Sequence, residues 1–241
     1  SERKMAVSDE ERKITAYHEA GHALVGMFVP GNDPVHRVTI IPRTNGAGGV
    51  TLLLPDQDQF FQKKAELKAR LAMTCGGRVA EEMLLGPDEI TGGASSDIQQ
   101  ATNVARAMVT ELGMSDKLGF IRLEESEGEV FLGRAVTQRK NMSEKTAQTI
   151  DEEIKRLVDE ALKKAQEVLK EHKKDLDLLA EALLEYETLD GDQVKRVLRG
   201  EELGPIEEEI PKEEASFRGS GSVPESGPEL KGGDLAPKEI K

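Results

Sequence analysis

Five residues constrain this chain most: His18-Glu19-Ala20-Gly21-His22. Residues four apart share a helix face, so both imidazoles can approach one ion if the stretch is helical. The flanks predict that it is. Ser8 can cap a helix, with Glu11 at the capping-box position. Ile14, His18, His22 and Val25 recur at helical spacing, and Pro30-Gly31 stops the pattern just after Met27 or Phe28. The fold must therefore bury a helix face that carries imidazoles among aliphatic side chains.

His-Glu-x-x-His on a helix is a zinc pattern. Glu19 lies one step round from His18, offset from the ligand positions but near enough to hold a water on the ion. Zinc lowers the pKa of such a water toward neutrality, and Glu19 can take the proton and pass it to a leaving amine. Gly21 places no side chain between the histidines and a neighbouring element. A chance match is the competing explanation. The cap, the apolar spacing and the helix stop weaken it, as does the fact that two of the four histidines fall here.

The remaining pattern predicts a mainly α domain with a small β-sheet beside the motif helix. Residues 36–41 and 49–54 are β-branched and partly alternating, with a glycine-rich loop over 44–49 between them. A second helix is expected over 58–85, with Phe61, Leu67, Leu71, Cys75, Val79 and Met83 as its stripe. Gly76-Gly77 interrupts it and lets another element approach closely. A third helix is expected to start with Ser95 or Ser96 as cap and to reach about Leu112. Its stripe is Ala101, Val104, Ala105, Met108 and Leu112. Residues 118–134 are irregular. Ser143 can cap a helix reaching about 171, followed by shorter helices near 175–185 and 190–198, with Gly200 as a stop. From residue 201 the composition shifts to Glu, Pro, Gly, Ser and Lys, which predicts a domain over 1–200 and a disordered acidic tail over 201–241.

Two histidines leave an ion short of a third protein ligand. His172 sits among lysines at an expected exposed helix end, and His36 at a strand start. Carboxylates are the better source. Glu81 and Glu82 lie on the second helix, an arrangement similar to that of gluzincins. Asp97 lies in the first turn of the third helix, as in an aspzincin-type site. Without a metal, the two glutamates would be a solvated pair, one of them paired with Arg78. Asp97 would then be a first-turn acid favoured by the helix dipole. Asp97, however, falls four residues before Ala101, in line with the apolar stripe. An unpaired carboxylate there is costly and a metal removes the cost. Spacing favours Asp97 on that ground and leaves the glutamates open.

Composition excludes other classes. A net charge of −13 argues against a nucleic-acid backbone as partner. Aromatic residues at 3% argue against stacking platforms for bases or sugars. Cys75 is the only cysteine, so neither an intrachain disulfide nor a Cys-rich zinc cage can form. No apolar run approaches the roughly 20 residues that span a bilayer.

Longer stretches carry a more specific signal. They include Asp33-Pro34-Val35-His36-Arg37-Val38-Thr39-Ile40-Ile41-Pro42-Arg43, Gly76-Gly77-Arg78-Val79-Ala80-Glu81-Glu82 and Thr91-Gly92-Gly93-Ala94-Ser95-Ser96-Asp97-Ile98. Ala105-Arg106-Ala107-Met108-Val109, Gly113-Met114-Ser115 and Tyr186-Glu187-Thr188-Leu189 continue the series. With the two-histidine motif, they make residues 8–200 resemble the peptidase domain of the FtsH family, membrane-anchored AAA+ proteases of bacteria and organelles. The resemblance implies a mostly helical fold, one Zn2+ per subunit held by His18, His22 and Asp97, and Glu19 as catalytic base. Glu81 and Glu82 then become supporting residues. It also implies ATP-driven proteolysis of unfolded polypeptides by a homohexameric ring at the cytoplasmic face of the inner or plasma membrane. ATP would act only through an ATPase module outside this chain, which contains no Gly-x-x-x-x-Gly-Lys-Ser/Thr stretch and is expected to be soluble alone.

Two other classes compete. One is a zinc scaffold without catalysis; the other is a helical oligomerisation module built on the 143–171 helix. Within the leading class, Val50-Thr51-Leu52-Leu53 is the candidate edge strand for a substrate peptide.

Overall fold

The computed structural model describes residues 7–42, 48–55, 61–123 and 143–205. Helix α1 spans Asp9–Phe28 and opens with the full capping box, Ser8 and Glu11 each accepting from the other's backbone. Strands β1 (Val35–Thr39) and β2 (Val50–Leu53) follow. Helix α2 runs over Lys64–Leu85 and α3 over Ser95–Thr110, the latter entered through a single 3-10 turn, Gly92–Ala94. The long α4 (Glu144–Glu171) is capped by Ser143. Helix α5 (Lys173–Tyr186), strand β3 (Thr188–Asp190) and helix α6 (Gly191–Leu198) complete the domain.

Helix α1 is the central element, packed on α2, α4 and α5 and on both hairpin strands. Its crossing with α2 is backbone against backbone. A Cβ on Gly21 would collide with the Gly76 carbonyl oxygen and lie 2.6 Å from the Ala80 side chain. Glycine at both positions lets the two helices touch at the level of the histidines. Around this crossing the aliphatic residues Leu24, Leu71, Met108, Leu157, Leu176 and Leu179 are fully enclosed. Burying such a side chain stabilises the fold by about 1.5–3 kcal/mol each.

The sheet has the order β2-β1-β3, antiparallel throughout. The hairpin lies where the sequence places it. The third strand was not foreseen, because three residues between two helices carry no alternation to detect. It is fixed by Val38 opposite Leu189 and by a 2.8 Å hydrogen bond between the Thr39 and Thr188 hydroxyls.

Several expectations need correction. Phe61 is not part of the α2 stripe, since the helix begins at Lys64 and Phe61 is exposed. Leu112 is not part of the α3 stripe: the helix ends at Thr110, the chain turns at Gly113 with φ 60°, and Val109 takes the buried place. Neither Ser95 nor Ser96 caps α3. Thr91 caps the preceding 3-10 turn, accepting from Gly93 N–H. Parts of the glycine-rich loop, the irregular stretch and residues 206–241 of the expected tail lie outside the described residues.

One buried carboxylate away from the histidines is structural. Glu153 on α4 accepts from the Ser115 hydroxyl at 2.7 Å and from Arg156 through two nitrogens at 3.0 Å. The Arg156 guanidinium holds its carboxyl down at about 2. The Ser115 bond ties the turn after α3 to α4.

Candidate metal centre

His18 and His22 project from α1 into a cleft of about 1580 Å³ that is also lined by Glu19, Thr51, Met73 and Asp97. Asp97 arrives from the first turn of α3. Its Oδ2 lies 3.0 Å from His18 Nε2 and 3.3 Å from His22 Nε2. The two Nε2 atoms are themselves 3.0 Å apart. Among the described residues, these three form the group able to hold an ion, with ligand atoms within 4.8 Å of one another.

The outer faces of both rings decide their chemistry. His22 Nδ1 is 2.8 Å from the Met73 carbonyl oxygen. A carbonyl only accepts, so Nδ1 carries a proton and Nε2 is the nitrogen left to serve as a ligand. His18 Nδ1 lies 2.7 Å from Glu81 Oε1 and is fixed in the same way. Two imidazole nitrogens and a carboxylate oxygen then converge on one point. Asp97 Oδ2 is buried there and makes no hydrogen bond of acceptable geometry despite its close neighbours. Three acceptors facing each other repel unless a cation lies between them. Their separations suit tetrahedral coordination, in which ligand bonds of about 2.0–2.1 Å place neighbouring ligands about 3.3 Å apart. The donor set therefore fits a divalent metal of the zinc type.

The titration behaviour carries the same message. Burial lowers the His18 pKa, but the Asp97 and Glu81 carboxylates beside it outweigh that and carry it to about 9. Burial also opposes the charged form of Asp97, yet the His18 and His22 imidazoles hold its carboxyl well below the usual carboxylate range. A proton on His18 supplies, in the metal-free chain, the positive charge that the cluster demands.

Residue spacing does not reveal the contacts behind the ligands, although the resemblance implies a supporting role for Glu81. Glu81 is 1% exposed, not half of a solvated pair. Its Oε2 accepts from the Thr91 amide at 3.2 Å and the Thr91 hydroxyl at 3.0 Å, while Oε1 faces His18. Burial would raise its pKa, but these bonds hold it down, so it stays a carboxylate. Such a carboxylate orients a ligating histidine and raises its basicity. Arg78 pairs with neither glutamate; it donates to the Thr91 carbonyl at 3.1 Å. A motif spacing of ten residues between Glu81 and Thr91 holds no signal of this contact, because the turn after α2 makes it.

Other candidates stand apart. His36 is exposed on β1. His172 stacks on Phe28 with ring centroids 3.7 Å apart and bonds Asp175 at 2.8 Å. The Tyr17 hydroxyl donates to Asp177 on α5 at 2.8 Å, away from the cluster. The Cys75 thiol is pushed up to about 11 by burial and by the Asp97 charge, so it stays protonated.

Glu19 is 6% exposed beside the cluster, and burial raises its pKa despite the opposing His22 charge and the Thr51 hydroxyl. A side chain at Gly77 would intrude on the centre itself: its Cβ would lie 2.5 Å from His18 Nε2 and 2.6 Å from His22 Nε2. Ala is the better helix former by about 1 kcal/mol. Gly77→Ala is therefore expected to lose divalent metal by displacing both rings, the gain in helix propensity offsetting part of the packing cost, as metal analysis beside a thermal melt would register.

A mainly helical fold wrapped on a paired-histidine helix, with an acid from a later helix, defines the class: a metallopeptidase domain. A family model described as Peptidase family M41 matches residues 5–197. The chain belongs to that family. It is 49% identical over 198 residues to the ATP-dependent zinc metalloprotease FtsH of Caulobacter vibrioides, covering 82% of this chain and 32% of that protein. The protein of the same name from Rubrobacter xylanophilus is 50% identical over 192 residues, 80% of this chain and 29% of the relative. That from Thermotoga maritima is 46% identical over 195 residues, 81% and 32%. The chain thus spans about a third of the length of these relatives.

Proposed function

We propose that this chain is a zinc-dependent endopeptidase module in which His18, His22 and Asp97 hold one zinc ion and Glu19 is the general base. The observation that carries the proposal is the convergence of two imidazole nitrogens and a carboxylate oxygen, 3.0–3.3 Å apart, with the outer nitrogen of each ring anchored. When bound, zinc supplies the Lewis acidity that makes water a nucleophile near neutral pH. Glu19 takes the proton from the attacking water and delivers it to the departing amine nitrogen. Its burial suits that exchange, since a carboxyl raised above its usual range accepts a proton more readily.

Substrate binding falls to β2. It is an edge strand, and it borders the same cleft through Val50, Thr51, Leu52 and Leu53. An extended peptide can add to such an edge by main-chain hydrogen bonds, leaving side-chain identity loosely specified. Flexible or unfolded polypeptides are therefore the substrates of choice.

The relatives' names describe ATP dependence. On that support, we propose that this chain works with an AAA+ ATPase module; the resemblance to the FtsH family adds a homohexamer with a membrane anchor at the cytoplasmic face of the inner or plasma membrane. Its ATPase module does the unfolding. Among the described residues, no helix is long and apolar enough to cross a membrane.

The test is cleavage by the zinc-loaded chain of one polypeptide in folded and unfolded forms. Cutting of the unfolded form alone is expected, abolished by a chelator and restored by zinc. Chelator-insensitive cleavage would refute the metal chemistry, and rapid degradation of the folded form without ATP would refute the division of labour.

A further inference from the structure

Thr51 lies in the middle of β2 with its hydroxyl 2.7 Å from Glu19 Oε2 and 3.1 Å from the Glu19 carbonyl oxygen. A hydroxyl has one proton to give, and both partners only accept. The shorter contact, to the charged oxygen, takes the larger share. Among the described residues, Thr51 is the only donor to the Glu19 carboxylate. Oε1 receives no hydrogen bond from them. Glu19 lines the cleft, and its Oε1 lies beside Gly49, where an added Cβ would be 2.9 Å from it.

The strand is shaped for this contact. Positions 49 and 51 lie on one face of an extended chain. A side chain at Gly49 would meet Glu19 Cγ at 2.8 Å, so β2 lies directly against the carboxylate and Thr51 fixes it there. The same strand is an edge of the sheet among the described residues.

We infer that Thr51 is a positioning residue for Glu19, and that its hydroxyl pins one carboxylate oxygen so that the other stays aimed at the cleft. The inference rests on the peptidase function proposed above. It ties the strand that receives the peptide to the group that moves the proton. A bond that merely fastened β2 to α1 would, on removal, disturb peptide docking and stability. A positioning bond would disturb the chemical step.

Thr51→Val keeps shape and strand propensity while deleting the donor, Thr51→Ala deletes it with less bulk, and Thr51→Ser keeps it. With an unstructured fluorogenic peptide and the zinc-loaded chain, Val and Ala are expected to lower kcat about tenfold to a hundredfold, the weight of a hydrogen bond to a charged group. KM should stay within about twofold and zinc content at the wild-type level, because neither substrate nor metal loses a contact. Ser should recover most of the loss. Crystal structures of the zinc-loaded variants should show Glu19 in more than one rotamer with Val and in one with Ser. Wild-type kcat in both Val and Ala, or a rise in KM alone, overturns the inference while leaving the peptidase function standing. A zinc-loaded wild-type chain that cuts no peptide overturns both.

Discussion

Replacing Glu19 with Gln is expected to lower kcat on an unfolded substrate by about 10²–10⁴-fold, the contribution of a well-placed general base. Zinc content should not change. Glu19 is one step round α1 from His18, and its carboxylate is not among the converging atoms that would hold the ion. The amide has the volume of the acid, and its oxygen can still accept from the Thr51 hydroxyl, so the side chain keeps its place. It cannot accept the proton that a carboxylate takes. Stability should hold or rise, because burial penalises the charged form of Glu19 and the neutral amide escapes that penalty. A coupled fall in kcat, retained zinc and an unchanged or higher melting temperature would mark an interaction made only in the reaction. Unchanged turnover with zinc in place would instead make the ion a brace, the scaffold alternative that the sequence leaves open.

Much of the site is legible in the sequence because its parts are local. The Ser8–Glu11 cap, the i,i+4 histidines and the stop at Pro30 each act within one or two turns, and α1 forms where they place it. Close approaches at Gly21 and at Gly76-Gly77 are each foreseen, but only the structure shows that the two glycines meet one another. Legibility ends where contacts are made by chain reversal. Residue spacing leaves Glu81 open as a ligand or half of a solvated pair, and it is enclosed because the turn after α2 brings the Thr91 amide and hydroxyl onto its carboxylate. Thr51 reads as an ordinary strand residue until β2 is seen lying on α1. The third strand follows a residue with φ 61°, Glu187, in the left-handed region, a turn no propensity argument would assign to a glutamate. Interior carboxylates follow no periodicity of their own; they go where donors converge, and donors converge through tertiary structure.

Asp97→Ala should have the second large effect, and it acts on the metal instead of the proton. The substitution leaves two imidazole nitrogens 3.0 Å apart and removes the one anionic ligand between them. The loss of affinity should exceed the 10–100-fold that a change behind the ligands costs. No neighbour can take its place. Glu81 sits on the far side of the His18 ring, with Oε1 engaged by His18 Nδ1 and Oε2 by Thr91. Using it as a ligand would break both bonds and turn the imidazole. The decisive measurement is therefore the zinc content of wild type and Asp97→Ala after equilibration against the same buffered free zinc. Close to one ion per chain in wild type and almost none in the variant is the expected result. Near-stoichiometric zinc in a folded Asp97→Ala would contradict the assignment and return the third ligand to Glu81 or Glu82.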